Sequence, residues 1–217
     1  MDMFPLWNSL RISLISTSLA FFLGIFLAGF VMGLPRAAKG ISDALLTMPM
    51  ALPPTVVGYF ILVTVSPKSA IGGYLRDTFG MVITMRWQAS IIAVTIVAFP
   101  LMYRTARGAF ESLDKNLVDA GKTLGLSNAY IFFRIVIPNS RQGMLAGAVL
   151  AFARGLGEYG ATSMVSGYIA GRTATVSTSV AYYWQINQDD MAFRWVMVNL
   201  ALSLAVMILM NMFERKR

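Results

Sequence analysis

Arg154 and Glu158 are the side chains best placed to do chemistry in this chain, because they stand in an otherwise uncharged run from Gln142 to Gly171. Four residues apart, they share one face of a helix and can pair. An arginine at the bilayer centre costs about 2.5–3.5 kcal/mol on insertion scales. The pair therefore either locks helix packing or lines a polar path or subunit seam, with Tyr159 beside it in the same candidate set. Pro49, Pro53 and Pro54 interrupt another apolar run. They free carbonyls that lipid cannot satisfy, so the break is a plain kink or faces protein or a water-filled path. The chain has no cysteine and no histidine, which removes thiol nucleophiles, disulfides, zinc sites and histidine proton relays. It also lacks a GxxxxGK[ST] phosphate loop. No Ser–Lys or paired-Asp arrangement stands inside the apolar runs, which argues against an intramembrane enzyme. No metal site is expected, and the 15 methionines read as packing residues.

The elements that hold these residues are apolar. Of 217 residues, 57% are hydrophobic and 13% charged, against about a quarter charged in an ordinary soluble domain. The fold class is therefore an all-α integral membrane bundle of about five spans in one domain, 1–217. The spans fall at about 10–34, 42–66, 87–104, 142–168 and 193–213, with a long polar loop over 104–141. The loops about 68–86 and 172–191 read as small re-entrant or interfacial elements. Loop arginines and lysines number 11 on the side of the long loop and 6 on the other. That bias puts the long loop and C-terminus in the cytoplasm and the N-terminus outside. It also explains the net charge of +8 without nucleic acid. Trp87, Trp184 and Trp195 are expected at the outer boundary as interfacial aromatics.

Within the long loop, Asn116 to Leu126 reads as a short surface helix whose Leu117, Ala120 and Leu124 share a face. Asp114 and Asn116 are N-cap candidates. Gly125 stands where a helix end wants a left-handed residue, and a second helix from Asn128 is expected to stop at Pro138. Ala120 and Gly121 would leave room for a partner to approach.

The spacing Asp119-Ala120-Gly121, three residues, Gly125, nine residues, Ile135-Val136-Ile137-Pro138 resembles the EAA loop of ABC importer permeases. That loop reads Glu-Ala-Ala, three residues, Gly, nine residues, Ile-x-Leu-Pro. Asp, Gly and Ile replace Glu, the second Ala and Leu here. Leu52 to Tyr59 (LPPTVVGY), Leu150 to Thr162 (LAFARGLGEYGAT) and Gly171 to Thr175 (GRTAT) resemble segments of the molybdate branch. The resemblance covers essentially the whole chain. It implies a type I importer permease fold, a second copy of the chain, cytoplasmic ATPase subunits that bind ATP and magnesium, and an extracytoplasmic molybdate-binding protein. It further implies a multi-pass protein of a bacterial or archaeal inner membrane. The pore subunit itself would hold no cofactor. It would carry a tetrahedral oxyanion, molybdate first, with tungstate and sulfate as alternatives. Asp119, Ala120, Gly121, Leu124, Gly125 and Pro138 would couple to the ATPase, and Gly171, Arg172 and Thr173 would face the binding protein. Pro53, Pro54, Arg154, Glu158 and Tyr159 would line the pore or pack helices. An ion-coupled carrier or channel would use Arg154 and Glu158 but leaves the 104–141 loop without a task.

The sidedness can be checked with reporter fusions after Arg76 and after Lys122. The expected outcome is opposite sides of the membrane, and both reporters on one side would sink this topology.

Overall fold

The computed structural model describes residues 2–214, with side chains as far as Ile208. Arg215, Lys216 and Arg217, which entered the loop count, lie outside the described residues. Among the described residues three helices are long and apolar enough to cross a membrane: α1 (Phe4–Met32), α5 (Trp87–Glu111) and α12 (Asp189–Glu214), the last over Asp189–Ile208. Phe22, Phe26 and Phe30 of α1 and Leu200 and Leu204 of α12 are exposed, as a surface solvated by lipid requires.

The second expected span, 42–66, is two helices, α2 (Arg36–Ala51) and α3 (Pro54–Val65), bent by 105°. A residue before proline is driven out of the α region. Leu52 and Pro53 both precede proline and are extended, with ψ 145° and 135°. Pro49, by contrast, stays inside α2. The fourth span, 142–168, is likewise divided into α9 (Arg141–Leu156) and α10 (Gly160–Val165), with Gly157 to Tyr159 between them. The outer segments carry α4 (Ala70–Phe79) and α11 (Val176–Gln185). The segment 104–141 is helical through most of its length: α5 runs on to Glu111, followed by α6 (Lys115–Thr123), α7 (Asn128–Ile131), a π-helical stretch at Phe132–Val136, and α8 (Ile137–Asn139).

The core is α5 gripped by α1 on one side and α9 on the other. On α1, Ile12, Ser16, Ala20, Gly24 and Ala28 recur every four residues and are buried. Lipid supplies no hydrophobic drive between helices, so close approach of small residues and interhelical hydrogen bonds must hold them. Ser16 Oγ donates to the Ile91 carbonyl at 3.0 Å, and a Cβ on Gly24 would stand 2.8 Å from Met102 Cγ. The α9 stripe runs Gly143, Gly147, Ala151, Gly155. Cβ atoms on Gly143 and Gly155 would stand 2.5 Å from Ala109 Cβ and 2.9 Å from Val94 Cγ1.

Polar staples hold the two ends. At one end Asn8 Nδ2 donates to the Thr173 and Ala174 carbonyls, and Ser9 Oγ accepts from the Val176 amide. At the other, Asp43 of α2 accepts from the Tyr103 hydroxyl and pairs with Arg107. Glu111 takes Lys39 at 2.8 Å and Arg107 at 3.0 Å. Trp195 does not reach lipid or water: only 1% of it is exposed, because its ring packs inward from α12. Trp184 is exposed.

The tightest crossing joins α3 to α10. A Cβ on Gly58 would lie 2.7 Å from Ala161 Cα and 2.9 Å from its carbonyl oxygen, so backbone would have to move. Gly58→Ala is expected to lose about 1–3 kcal/mol through overpacking. Gly40→Ala, where nothing lies within 4 Å, should gain about 0.5–1 kcal/mol from helix propensity. Thermal unfolding in detergent reads both; equal effects would contradict the packing described.

Candidate functional site

The Pro53–Pro54 break and the break that carries the ion pair prove to be parts of one place, whereas Pro49 lies inside α2. Pro53 caps α3 and Pro54 opens it, where proline lacks only an N–H that would be orphaned anyway. A Cβ on Gly160 would meet Pro54 Cβ at 3.0 Å and the Thr55 amide nitrogen at 3.1 Å. The start of α3 therefore rests on the start of α10, and the two breaks lie against each other.

Glu158 fills the second break. Its Oε1 accepts from the Ala161 amide at 2.7 Å, putting a carboxylate at the N-terminal end of α10, where orphan amides favour an anion. Arg154 Nη1 approaches Oε2 at 2.6 Å, but out of line, so Oε2 accepts no aligned hydrogen bond. The Glu158 side chain is 1% exposed and that of Arg154 32%. The carboxylate is thus structural, whereas the guanidinium keeps an open flank. Tyr159, the residue at the head of α10, is 40% exposed. Among the described residues no three acidic side chains converge to hold a metal ion.

The helices of the 104–141 segment form a second place. Asp114 caps α6 by accepting from the Asn116 amide, and Ser127 caps α7 through the Tyr130 amide. Gly125 between them has φ +75° with nothing within 4 Å of a Cβ there; backbone conformation, not space, demands glycine. Leu117 and Leu124 are 44% and 78% exposed, and Ala120 is exposed with them. Asp119 makes only a 3.6 Å contact with Lys122, both exposed. One expectation fails here. Gly121 is buried, with Ile131 and Ile135 3.1–3.3 Å from where its Cβ would be; its smallness serves α6–α7 packing, not an approaching partner. The helical run from Asn128 passes through a π-helical turn and ends at Asn139, one residue past Pro138, and Asn139 Nδ2 covers the Ile135 carbonyl at 2.7 Å.

At the opposite end Gly171 has φ +67° with open space around it, and Arg172 is exposed. Thr173 is not: it is fully buried, its Oγ1 accepting from the Ile169 amide and donating to the Gly167 carbonyl. It shapes the loop and cannot meet a partner.

Residues 20–217 match the family described as binding-protein-dependent transport system inner membrane component. The chain belongs to that family. It is 34% identical over 216 residues, 97% of this chain and 94% of the other, to the molybdenum transport system permease protein ModB of Escherichia coli (strain K12). Its identity to ModB of Haemophilus influenzae is 34% over 195 residues, 89% and 85% of the two chains. In fold it matches the MetNI methionine ABC transporter in an inward-facing conformation, with TM-score 0.76, 15% identity, and 97% and 93% coverage. The protein is thus an inner-membrane pore component with the type I ABC importer permease fold.

In this permease the motifs at 52–59 and 150–162 meet at the α3–α10 crossing, more than 90 residues apart in sequence. Sequence reasoning missed the small-residue stripes of α1 and α9, although their four-residue period is legible. It also missed Asn8, which ties α1 to the outer loop.

Because Glu158 both pairs and caps, substitutions should separate the two roles. Arg154→Gln alone strands a buried carboxylate and should destabilise by about 3–5 kcal/mol. Adding Glu158→Gln, which still offers a carbonyl to Ala161, should recover most of that loss in thermal unfolding. Arg154→Ala with Glu158→Ala should not, since the cap is gone. Additive damage in the glutamine pair would refute the pairing.

Proposed function

We propose that two copies of this chain form the pore of an ATP-driven importer whose cargo is molybdate. The observation that carries the cargo is the 34% identity, spread over 97% of the chain, to a molybdenum transport permease. It is supported by the meeting of the 52–59 and 150–162 motifs at the two breaks. The exposed apolar face Leu117, Ala120, Leu124 is the seat for a cytoplasmic ATPase subunit, which binds ATP and magnesium. The loop around Gly171 and Arg172 faces the extracytoplasmic binding protein. The N-terminus lies outside and the C-terminus in the cytoplasm, by the basic-residue bias.

The physical sequence is a lever. Closure of the ATPase pair draws the two α6 helices together. Capped at Asp114, and packed through Gly121 on α7, which is itself capped at Ser127, α6 moves with its neighbours rather than fraying. The movement reaches the membrane through α5 and α9, which flank the loop, and the proline break lets α3 reorient against α2. ATP hydrolysis resets the pore.

Gly125→Val is expected to leave the permease in the membrane yet uncouple ATPase activity from uptake, because a β-branched residue resists φ +75°. Normal transport by that variant would show that Gly125 is no constrained hinge. The cargo is tested by uptake of labelled molybdate into vesicles holding the permease with its ATPase and binding protein. Excess unlabelled tungstate should compete strongly and sulfate weakly. Sulfate uptake that ignores excess molybdate would overturn the assignment.

A further inference from the structure

Three arginines from separate parts of the chain converge on one cavity at the outer end of the bundle. Arg11 comes from α1, Arg86 precedes α5, and Arg172 lies in the loop before α11; together they line a space of about 380 Å³. No aspartate or glutamate lines it, and among the described residues none of the three arginines has a carboxylate within 4.0 Å. Basic residues are depleted on the outer side of membrane proteins, yet three of the six assigned to that side gather here.

The cavity is built rather than incidental. Arg11 Nη2 donates to Asn8 Oδ1 at 2.8 Å, and its guanidinium carbon lies 3.8 Å from the Trp87 ring centroid. Asn8 is itself fixed to the Thr173 and Ala174 carbonyls. One asparagine thus positions both Arg11 and the loop that carries Arg172. Arg11 Nε is buried without a partner, a donor held ready. Trp87 and Gln88, the first residues of the 25-residue α5, line the same space. The first turn of α5 has no acidic residue and no side-chain cap, so its amides add positive potential.

We propose that this cavity binds a tetrahedral oxyanion at the outer mouth of the permease, ahead of the translocation step. Three guanidinium groups and a helix N-terminus overcompensate a single carboxylate from a docked protein. They match an anion with two charges and four acceptor oxygens, to which guanidinium forks bond strongly. The source is a free oxyanion released above the membrane or, with one charge and two free oxygens, the phosphodiester of an anionic lipid; both offer anionic oxygens that guanidinium groups bind. The proposal rests on the importer reading only for the direction from which the ion arrives.

The test is equilibrium binding of labelled molybdate and labelled sulfate to the full-length permease in nanodiscs, without binding protein or ATPase, so that its failure leaves the uptake experiment untouched. Wild type should bind both ions, less tightly as salt rises. Arg172→Gln and Arg86→Gln should each weaken binding about tenfold. Arg76→Gln, at an arginine already paired with Asp77 at 2.8 Å, should change nothing, and thermal unfolding confirms that the variants fold. Equal binding in phosphatidylcholine and phosphatidylglycerol supports the free ion. Binding that phosphatidylglycerol suppresses supports the same site filled by lipid phosphate. Arginine-independent binding, or no binding in either lipid, would each overturn the proposal.

Discussion

Close contact between α5 and two stripes of small residues sets the terms for the rest of the molecule. In lipid an apolar side chain gains nothing by leaving the solvent for a neighbouring helix, so dispersion at short range must hold the bundle. The α1 and α9 stripes let their backbones come close enough for Met102, Tyr103 and Val94 of α5 to fill the space between. Bulk is concentrated on α5 and absence of bulk on its partners. Every other element is attached to this three-helix frame at one end or the other.

The attachments are polar, and they occur where the backbone is irregular. Pro53 and Pro54 open a break that a lone span could not tolerate, and α10 covers it. Glu158 supplies the acceptor that the start of α10 lacks, and Arg154 offsets the charge. The ionic residues that look like chemistry in the sequence therefore first solve a backbone problem: broken helices in a membrane need internal partners. Arg154, with its open flank, is the member that can also face a path.

Hydropathy made the existence of the spans legible, because a long charge-free run has few alternatives. Their continuity was not legible, since a long apolar run looks alike whether straight or bent by 105°. The coupling motif was readable by spacing, and Gly125 by its position after a helix. The direction a small residue faces was not. Gly121 follows Ala120 in the motif but lies 100° around the helix, against Ile131 and Ile135. Thr173 fails for a related reason: loop polarity suggests exposure, whereas its hydroxyl closes the loop on itself. Trp195 followed the interfacial rule for tryptophan until α12 turned it inward.

These attachments decide where the molecule can flex. The N-terminal half of α2 is bound to α5 through Asp43, Tyr103, Arg107, Lys39 and Glu111. α3 is bound to α10 through Gly58 and Gly160, at distances that leave no room to slide. Between these two anchored bodies lie only Leu52 and Pro53, both extended, with Pro53 joined to the α3 ladder only as an acceptor from the Val56 and Val57 amides. Neither proline has an N–H to break, so rotation there sacrifices no backbone hydrogen bond. A bundle that must alternate between two openings needs one joint that bends without exposing unsatisfied amides to lipid. The Leu52–Pro53 step meets that requirement, with the Gly157–Tyr159 break beside it to let α10 follow.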